Sequence, residues 1–204
     1  MTKIPTAESH SRMFFESIEF EFVSRLESNW LLIRQELEQL QQDHFIAWPE
    51  KFLYEKDWKV FGLYAFGRKL KDNCRLCPET TRLVEMIPGM TTAGFSSLAP
   101  GTHIVPHVGY YNAVLRCHLG LIVPDGCALR VGNQTRNWQE GKCLIFDDTV
   151  EHEAWNYGDT GRIVLLTDFK NPQVTLNGKS KVTCSVEVAQ FLGQFLGKRT
   201  SGEE

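Results

Sequence analysis

From position 93 to 168 the sequence breaks into short apolar runs separated by turn residues, and this pattern constrains the fold more than any other feature. The runs lie at 93–98, 103–108, 113–123, 127–131, 143–147, 152–155 and 162–168. Proline, glycine, asparagine and aspartate separate them. Many short strands at this spacing are typical of a double-sheet jelly roll, or double-stranded β-helix. We therefore predict a mainly β fold whose barrel mouth is suited to a metal.

The residues before this segment predict helical support for the barrel. Apolar side chains recur at three- and four-residue spacing across 20–43, which predicts one helix packed on the outside of a sheet. Residues 58–66 predict a strand and residues 80–86 a short helix. We expect one domain over 1–172, with helical support at 1–57 and a β core at about 58–172. A C-terminal extension at 173–204 is expected to hold a short helix at 186–196 and a disordered end.

Composition limits the partners of the chain. A net charge of −3 without a block of like charges argues against nucleic acid or an anionic membrane surface. No apolar run approaches the roughly 20 residues of a membrane helix, and the first residues show no export signal. These features predict a cytoplasmic protein without a membrane span, and they leave the oligomeric state open. The C-x-x-C of Cys74 and Cys77 is interpreted as two thiols in a surface loop, because a zinc site would need a second pair.

His107 and His152 are the candidate metal ligands. Two imidazoles on different strands suit iron, zinc, copper or nickel. In the common facial triad of non-haem iron enzymes a carboxylate lies two residues after the first histidine, but this chain has Gly109 there. Either water fills the vacancy or a distant carboxylate does, and Asp148 is the nearest by sequence. A single histidine is more often a core residue, but that alternative is weak for two histidines placed among arginines.

Two arginines are expected to lie inside the barrel. Arg116 and His118 alternate on one strand and therefore share a face, while Leu115, Cys117 and Leu119 point the other way. Arg162 opens an apolar strand. A buried arginine must be paired. The partner is either a bound carboxylate or one of three internal aspartates: Asp147, Asp148 and Asp168. Trp138 and Trp155 are interpreted as core aromatics rather than pocket residues.

Four ordered motifs within the predicted β core resemble the aspartyl/asparaginyl β-hydroxylase family, whose members are Fe(II)- and 2-oxoglutarate-dependent oxygenases with a double-stranded β-helix. They are PGTHIVPHVG, RCHLGL, GKCLIFDDTVEHEAWN and RIVLL. The earlier SNWLLIRQEL and WKVFGLYAFGRK are similar more loosely, and residues from 173 onward match no motif. The resemblance implies hydroxylation of an aspartyl or asparaginyl residue, or of a related amino acid or peptide. O₂ and 2-oxoglutarate would be consumed, and succinate and CO₂ would be released.

The resemblance also implies the metal-binding residues. His107 and His152 would bind Fe(II). Asp148 would hold a metal-bound water without being a ligand itself. Gly109, where most related oxygenases have a carboxylate, is shared by the family.

The remaining implied roles concern 2-oxoglutarate. Arg162 and Ser96 would bind its distal carboxylate, and His118, with Arg116 near it, would serve the carboxylate next to the metal. Arg116 would also face the substrate. Metazoan members carry a second arginine where this chain has Val114, and losing that cation weakens the case for an acidic substrate.

Three other interpretations remain open. The family includes bacterial lipid A acyl-chain hydroxylases, which are larger and membrane-associated. The H-x-G motif also occurs in iron halogenases, where the missing carboxylate makes room for halide. A non-catalytic jelly-roll binding protein with a vestigial metal site is the third. A vestigial site should have lost part of the set, whereas all of its residues are present.

Overall fold

Twelve strands and five helices form the described part of this computed structural model, which covers residues 12–110, 113–174 and 185–196. The strands are β1 (Phe14–Phe15), β2 (Ile46–Ala47), β3 (Trp58–Ala65), β4 (Arg68–Lys69), β5 (Met90–Leu98), β6 (Thr102–His107), β7 (Val114–Ile122), β8 (Cys127–Val131), β9 (Gln134–Arg136), β10 (Cys143–Phe146), β11 (His152–Asn156) and β12 (Arg162–Lys170). The helices are α1 (Glu21–Ser28), α2 (Trp30–Glu38), α3 (Lys71–Leu76), α4 (Pro78–Glu85) and α5 (Val186–Leu196).

The strands form two antiparallel sheets. The major sheet has eight strands in the order β1-β10-β7-β12-β5-β3-β2, with β4 paired to β3. The minor sheet has four, in the order β6-β11-β8-β9. Apolar side chains from both sheets meet in one buried cluster between them. The predicted mainly β jelly roll with flanking N-terminal helices is confirmed.

The major sheet separates two cores because its side chains alternate between its faces. On β7, Leu115, Cys117 and Leu119 are at most 1% exposed and belong to the helix-side cluster. Leu26 of α1 and Ile33 of α2 complete that cluster. The alternate residues of β7 face the minor sheet, so the predicted division of this strand is confirmed.

The prediction of one continuous helix over 20–43 is wrong. Helix α1 ends at Ser28 and α2 begins at Trp30. Between them the side-chain amide of Asn29 donates to the carbonyl of Arg25 at 2.8 Å, and the backbone N–H of Asn29 donates to the same carbonyl at 3.2 Å. Asparagine competes for backbone hydrogen bonds in this way and interrupts helices. The apolar spacing continues across the break, which is why it predicted one helix.

The predicted surface loop around the C-x-x-C is also wrong. Cys74 lies in α3 and Cys77 directly precedes α4, whose first residue is Pro78. Cys74 is 5% exposed and Cys77 is fully buried in the helix-side core. The Cys74 thiol donates to the carbonyl of Leu63 at 3.3 Å. Burial raises the pKa of the Cys77 thiol to about 12, so both cysteines are structural core residues.

The C-terminal helix lies where the sequence predicted it, as α5. Val188 is buried, and the ring of Phe191 is 6.1 Å from that of Trp48, so α5 packs on the barrel. The predicted disordered end lies outside the described residues. Within those residues, no helix has the length and apolar character needed to cross a membrane.

Candidate functional site

His107 and His152 face each other across two paired strands. Residue 107 ends β6 and residue 152 opens β11, and the antiparallel register places them directly opposite. Their ring centroids are 4.3 Å apart. A register irregularity between His152 and Ala154 follows the pair. Two predicted ligands that are 45 positions apart in the sequence therefore meet on one stiff scaffold.

Each imidazole is oriented by its own strand. Nδ1 of His107 lies 2.8 Å from the carbonyl of Val105, and Nδ1 of His152 lies 2.9 Å from the carbonyl of Val150. A carbonyl only accepts, so each Nδ1 carries the hydrogen and each Nε2 keeps a free lone pair. Burial lowers the pKa of His107, and it lowers that of His152 to about 3. Both rings are therefore neutral, as metal ligands must be, and their arrangement fits a metal ion.

Asp148 fills the place next to Gly109. The amide of Gly109 donates to the carbonyl of Asp148 at 2.7 Å, and a β carbon on Gly109 would lie 2.3 Å from Oδ2 of Asp148. Burial raises the pKa of Asp148 to about 6, against the lowering effect of Arg116. Across the described ranges no cluster of three or more His, Cys, Asp or Glu residues is arranged as a metal site. The protein thus brings two imidazoles together, with one nearby carboxylate from a different segment.

Arg116 is paired internally. Its Nε and Nη2 donate to the two carboxylate oxygens of Asp168 at 2.7 and 3.0 Å, and Nη2 also lies 3.1 Å from Oδ2 of Asp148. Burial alone would lower the pKa of Arg116, but the two carboxylates raise it overall. Asp147 instead accepts from the amide and hydroxyl of Thr149. Of the two partners considered for Arg116, the structure shows the internal aspartates.

Arg162 presents the opposite situation. It is 1% exposed, and its Nε and Nη1 have no hydrogen-bond partner among the described residues. Its guanidinium lies 4.6 Å from the ring centroid of Trp138. Burial lowers the pKa of Arg162 to about 10. No carboxylate in the described part of the chain forms an ion pair with it, so its charge is not balanced within these residues.

The surroundings of Arg162 contain further polar atoms without partners. His118 is 7% exposed and stacks on Trp138 at 5.9 Å, and neither of its ring nitrogens has a hydrogen-bond partner within the described ranges. Burial lowers the pKa of His118 well below its ordinary value, so the ring is neutral. Nε1 of Trp138 is unpartnered in the same set of residues. Trp138, interpreted from sequence as a core aromatic, therefore lies between two predicted site residues.

Ser96 lies on the same face of the major sheet as Arg162. It pairs in register with Val164, two residues along β12 from Arg162, so both side chains point between the sheets. The Ser96 hydroxyl accepts a 3.0 Å hydrogen bond from Nε1 of Trp58 and keeps its own hydrogen for another acceptor. Trp58 was read from sequence only as part of a strand.

A cavity of about 220 Å³ extends from His107 along the major sheet to α5. Its wall at the site includes His107, Arg116 and Asp148, and Ser96 also lines it. The rest of its wall comes from β2, the loop before β3, β3, β5 and α5, and the contributions of β3, β5 and α5 were not predicted from the sequence. Those segments are distant in sequence and carry no polar motif, so no local signal indicated that they meet.

Comparison with known proteins relates this chain to hydroxylases. The sequence model of the family described as aspartyl/asparaginyl β-hydroxylase matches residues 27–172. An ornithine lipid ester-linked acyl 2-hydroxylase of Rhizobium tropici is 44% identical over 169 residues, which are 78% of this chain and 60% of that protein. The human aspartyl/asparaginyl β-hydroxylase is 41% identical over 164 residues, 76% of this chain and 22% of that protein. The chain thus spans only part of the length of both relatives.

A solved structure of a predicted oxalate decarboxylase from Thermotoga maritima overlaps 62% of this chain and 92% of that one, with a TM-score of 0.44 and 10% identity. An overlap at this level carries no argument about activity.

Proposed function

The chain belongs to the aspartyl/asparaginyl β-hydroxylase family, and from that premise we propose that it is an Fe(II)- and 2-oxoglutarate-dependent dioxygenase that hydroxylates its substrate. The family supports a hydroxylase, whereas the dependence on iron and on 2-oxoglutarate is our proposal. The oxygenase domain is placed at 1–172, and the family match over 27–172 lies within it.

One observation carries the proposal. Arg162 is a fully buried guanidinium with no carboxylate partner among the described residues, a costly arrangement unless a ligand supplies the missing charge. The planar fork of arginine matches a carboxylate in a bidentate pair. The hydroxyl of Ser96, which faces the same space, would donate to that carboxylate. A dicarboxylate held at one end by Arg162 would direct its other end towards the remaining polar groups of the site.

The other residues of the site would bind and orient. Nε2 of His107 and Nε2 of His152 would bind Fe(II), which when bound supplies the activation of O₂ coupled to 2-oxoglutarate decarboxylation. His118 would donate one hydrogen bond to the proximal carboxylate of 2-oxoglutarate. Asp148 would accept a hydrogen bond from a metal-bound water beside Gly109. Arg116 holds the Asp148 carboxylate in that orientation through a 3.1 Å contact.

The names of the two relatives indicate the position of attack. The β carbon of an aspartyl residue and carbon 2 of an acyl group are both methylenes bonded to a carbonyl carbon. We therefore propose that this chain hydroxylates a methylene next to a carbonyl. Two substrates share that feature: an aspartyl or asparaginyl residue of a peptide, and an ester-linked acyl chain.

Two observations favour the acyl chain. Arg116, whose charge acts on both histidines, is already countered by the carboxylates of Asp148 and Asp168, so the site offers little attraction to an acidic side chain. The cavity that continues from the site is also lined mainly by apolar side chains. An ester carbonyl is neutral and its chain is apolar, so it meets both conditions better than an aspartate does.

Anaerobic titration with Fe(II) and 2-oxoglutarate tests the proposal. The chelated complex of such enzymes gives a weak visible charge-transfer absorption, which we expect for the wild-type protein and not for His107→Ala or Arg162→Met. His103→Ala is the matched control, because His103 pairs with Glu153 at 2.7 Å away from the site and should leave the absorption intact. A folded wild-type protein without the absorption would refute the proposal and favour a non-catalytic binding protein.

A further inference from the structure

Part of the cavity wall, here called its floor, is formed by the backbone of two paired glycines on neighbouring strands. Gly62 of β3 and Gly94 of β5 are directly paired, and both line the cavity. A β carbon on Gly94 would lie 2.5 Å from the carbonyl oxygen of Phe61, so that position must stay glycine. A β carbon on Gly62 would meet only the flexible end of Leu70, at 3.0 Å. Gly94 thus lets the backbones of β3 and β5 approach closely, and a side chain at Gly62 would press on Leu70, which also lines the cavity.

Helix α5 covers this floor. Val188, Phe191 and Leu192 line the cavity from the helix side. On the facing wall Trp48 stacks on Trp58 with ring centroids 4.9 Å apart. The space between the sheet at β3 and β5 and the helix α5 is called the slot, and a narrow apolar space of this kind accepts an unbranched chain more readily than a folded peptide.

Several polar groups around the slot are already hydrogen-bonded within the protein. The buried carboxylate of Glu50 accepts from Nε1 of Trp48 at 3.0 Å and from the hydroxyl of Tyr110. The amide of Asn73 donates to the carbonyl of Gly62 at 2.7 Å, and the hydroxyl of Tyr64 donates to Glu85 at 2.5 Å. Binding a polar ligand here would break existing hydrogen bonds, whereas burying methylenes would break none.

The slot is continuous with the reaction site and lies to one side of it. In the major sheet β12 separates β7, which carries Arg116, from β5, and β3 follows β5. Neighbouring strands are spaced about 4.8 Å apart, so Gly94 lies roughly 10 Å and Gly62 roughly 14 Å across the sheet from β7. A substrate whose carbonyl lies at the histidine pair would place its chain on this floor.

The geometry points to a chain-binding subsite, in which the Gly62–Gly94 floor and the α5 roof hold the unbranched apolar chain of the substrate and Gly62 sets the usable depth. This inference rests on the proposed hydroxylase function and adds the residues that hold the chain and the one that limits its length. The cavity exceeds the roughly 150 Å³ that admits a benzene ring. Substrates with longer chains should therefore bind better until the slot is full.

The test is binding of saturated fatty acids to the full chain without iron or 2-oxoglutarate, measured by displacement of cis-parinarate. Burial of one methylene contributes about 0.8 kcal/mol, so affinity should rise about fourfold per methylene up to a plateau. In Gly62→Val the plateau should come earlier, with the longest chains bound about tenfold more weakly and short chains unchanged. Leu192→Trp narrows the slot from the roof and should act in the same way.

The matched control is Gly193→Val, since a β carbon on Gly193 meets no atom within 4 Å. It should bind every chain length as the wild type does. Affinity independent of chain length, an unchanged plateau in both slot variants, or displacement of the probe by an aspartyl peptide but not by fatty acids would overturn the inference. Because no iron is present, a protein that binds chains but never consumes 2-oxoglutarate refutes the proposed function and leaves the subsite standing.

Discussion

A β carbon on Gly109 would stand 2.3 Å from Oδ2 of Asp148, closer than two non-bonded atoms can approach. A side chain at position 109 and the carboxylate of Asp148 therefore cannot occupy this space together. The Asp148 carboxylate fits here because Gly109, two places after His107, has no side chain. The carboxylate comes from the loop after β10 instead, and Arg116 holds it. This exchange explains how an H-x-G motif keeps an acidic group at its site.

The mutual exclusion predicts non-additive stabilities. Gly109→Ala should lower the free energy of unfolding by about 1–3 kcal/mol, because the new methyl group overlaps Asp148. In Gly109→Ala/Asp148→Ala the overlap is gone, so the double variant should lose less than the sum of the two single losses. Urea unfolding of the metal-free proteins measures this coupling. Additive losses would show that the contact between the two residues is not tight.

Replacing Arg162 separates a ligand-binding role from a structural one. Arg162→Met should weaken 2-oxoglutarate binding on the order of 100-fold, because a buried carboxylate contact is lost. Without 2-oxoglutarate the same variant should be as stable as the wild type or more stable, because an unpaired buried charge is removed. Calorimetric titration and thermal unfolding give the two values. Arg130→Met, which removes a cation paired with Glu153, should leave 2-oxoglutarate binding unchanged; a large loss of stability in Arg162→Met would instead indicate a structural arginine.

The histidine pair predicts that His107 and His152 are needed for iron binding, whereas the nearby His103 is not. His107→Ala and His152→Ala should each abolish binding of one Fe(II) per chain, because a site with one imidazole left has too few protein ligands. His103→Ala should bind iron normally, since His103 contacts Glu153 on a different face of the sheet. Anaerobic equilibrium dialysis followed by metal analysis measures the stoichiometry. Full iron occupancy in His152→Ala would rule out the assigned ligands.

The pair of Arg116 and Asp168 should behave as a buried ion pair. Asp168→Ala leaves the Arg116 guanidinium with one carboxylate and should lower stability by about 3 kcal/mol. Arg116→Met/Asp168→Leu removes this pair and should recover only part of that loss, because the apolar pair needs no compensation whereas the buried Asp148 loses its cation. Denaturant unfolding compares the variants. Equal losses in the single and double variants would mean that packing, not charge, sets the effect.

The buried cysteines should resist alkylation. Burial raises the pKa of Cys77 to about 12 and also raises that of Cys74, so neither thiol forms the reactive thiolate near neutral pH. Iodoacetamide at pH 7 should leave the peptide containing both residues unmodified in the native protein and label it in denaturant, as read by mass spectrometry. Rapid labelling of the native protein would restore the surface-loop interpretation.

The strands of the barrel were predictable because their information is local. Alternation along β7 places Arg116 and His118 on one face and Leu115 and Cys117 on the other, whatever the rest of the chain does. The same locality misled the prediction at Asn29, where apolar spacing continued through a side chain that interrupts the helix. It also missed α3, which buries Cys74 through contacts made far along the chain.

The candidate site was likewise predictable only where its information is local in the sequence. Candidate ligands were found from residue type and motif order, and the register of β6 and β11 brings His107 and His152 together. The choice of partner for each arginine could not be read from sequence, because Asp168 is opposite Arg116 only through the pairing of β12 with β7. The cavity could not be predicted from the sequence for a similar reason, since residues on two strands and on a distant helix line it together.

The hydrogen bonds that orient the two metal-facing imidazoles end on backbone carbonyls two residues away on the same segment. Among the described residues, neither ring is oriented by a hydrogen bond to another side chain. Substitutions in the cavity wall, such as at Gly62 or Leu192, should therefore change the space for the substrate without changing the orientation of His107 and His152. A scaffold built in this way lends itself to directed evolution of new substrate ranges while the two histidines proposed as ligands stay unchanged.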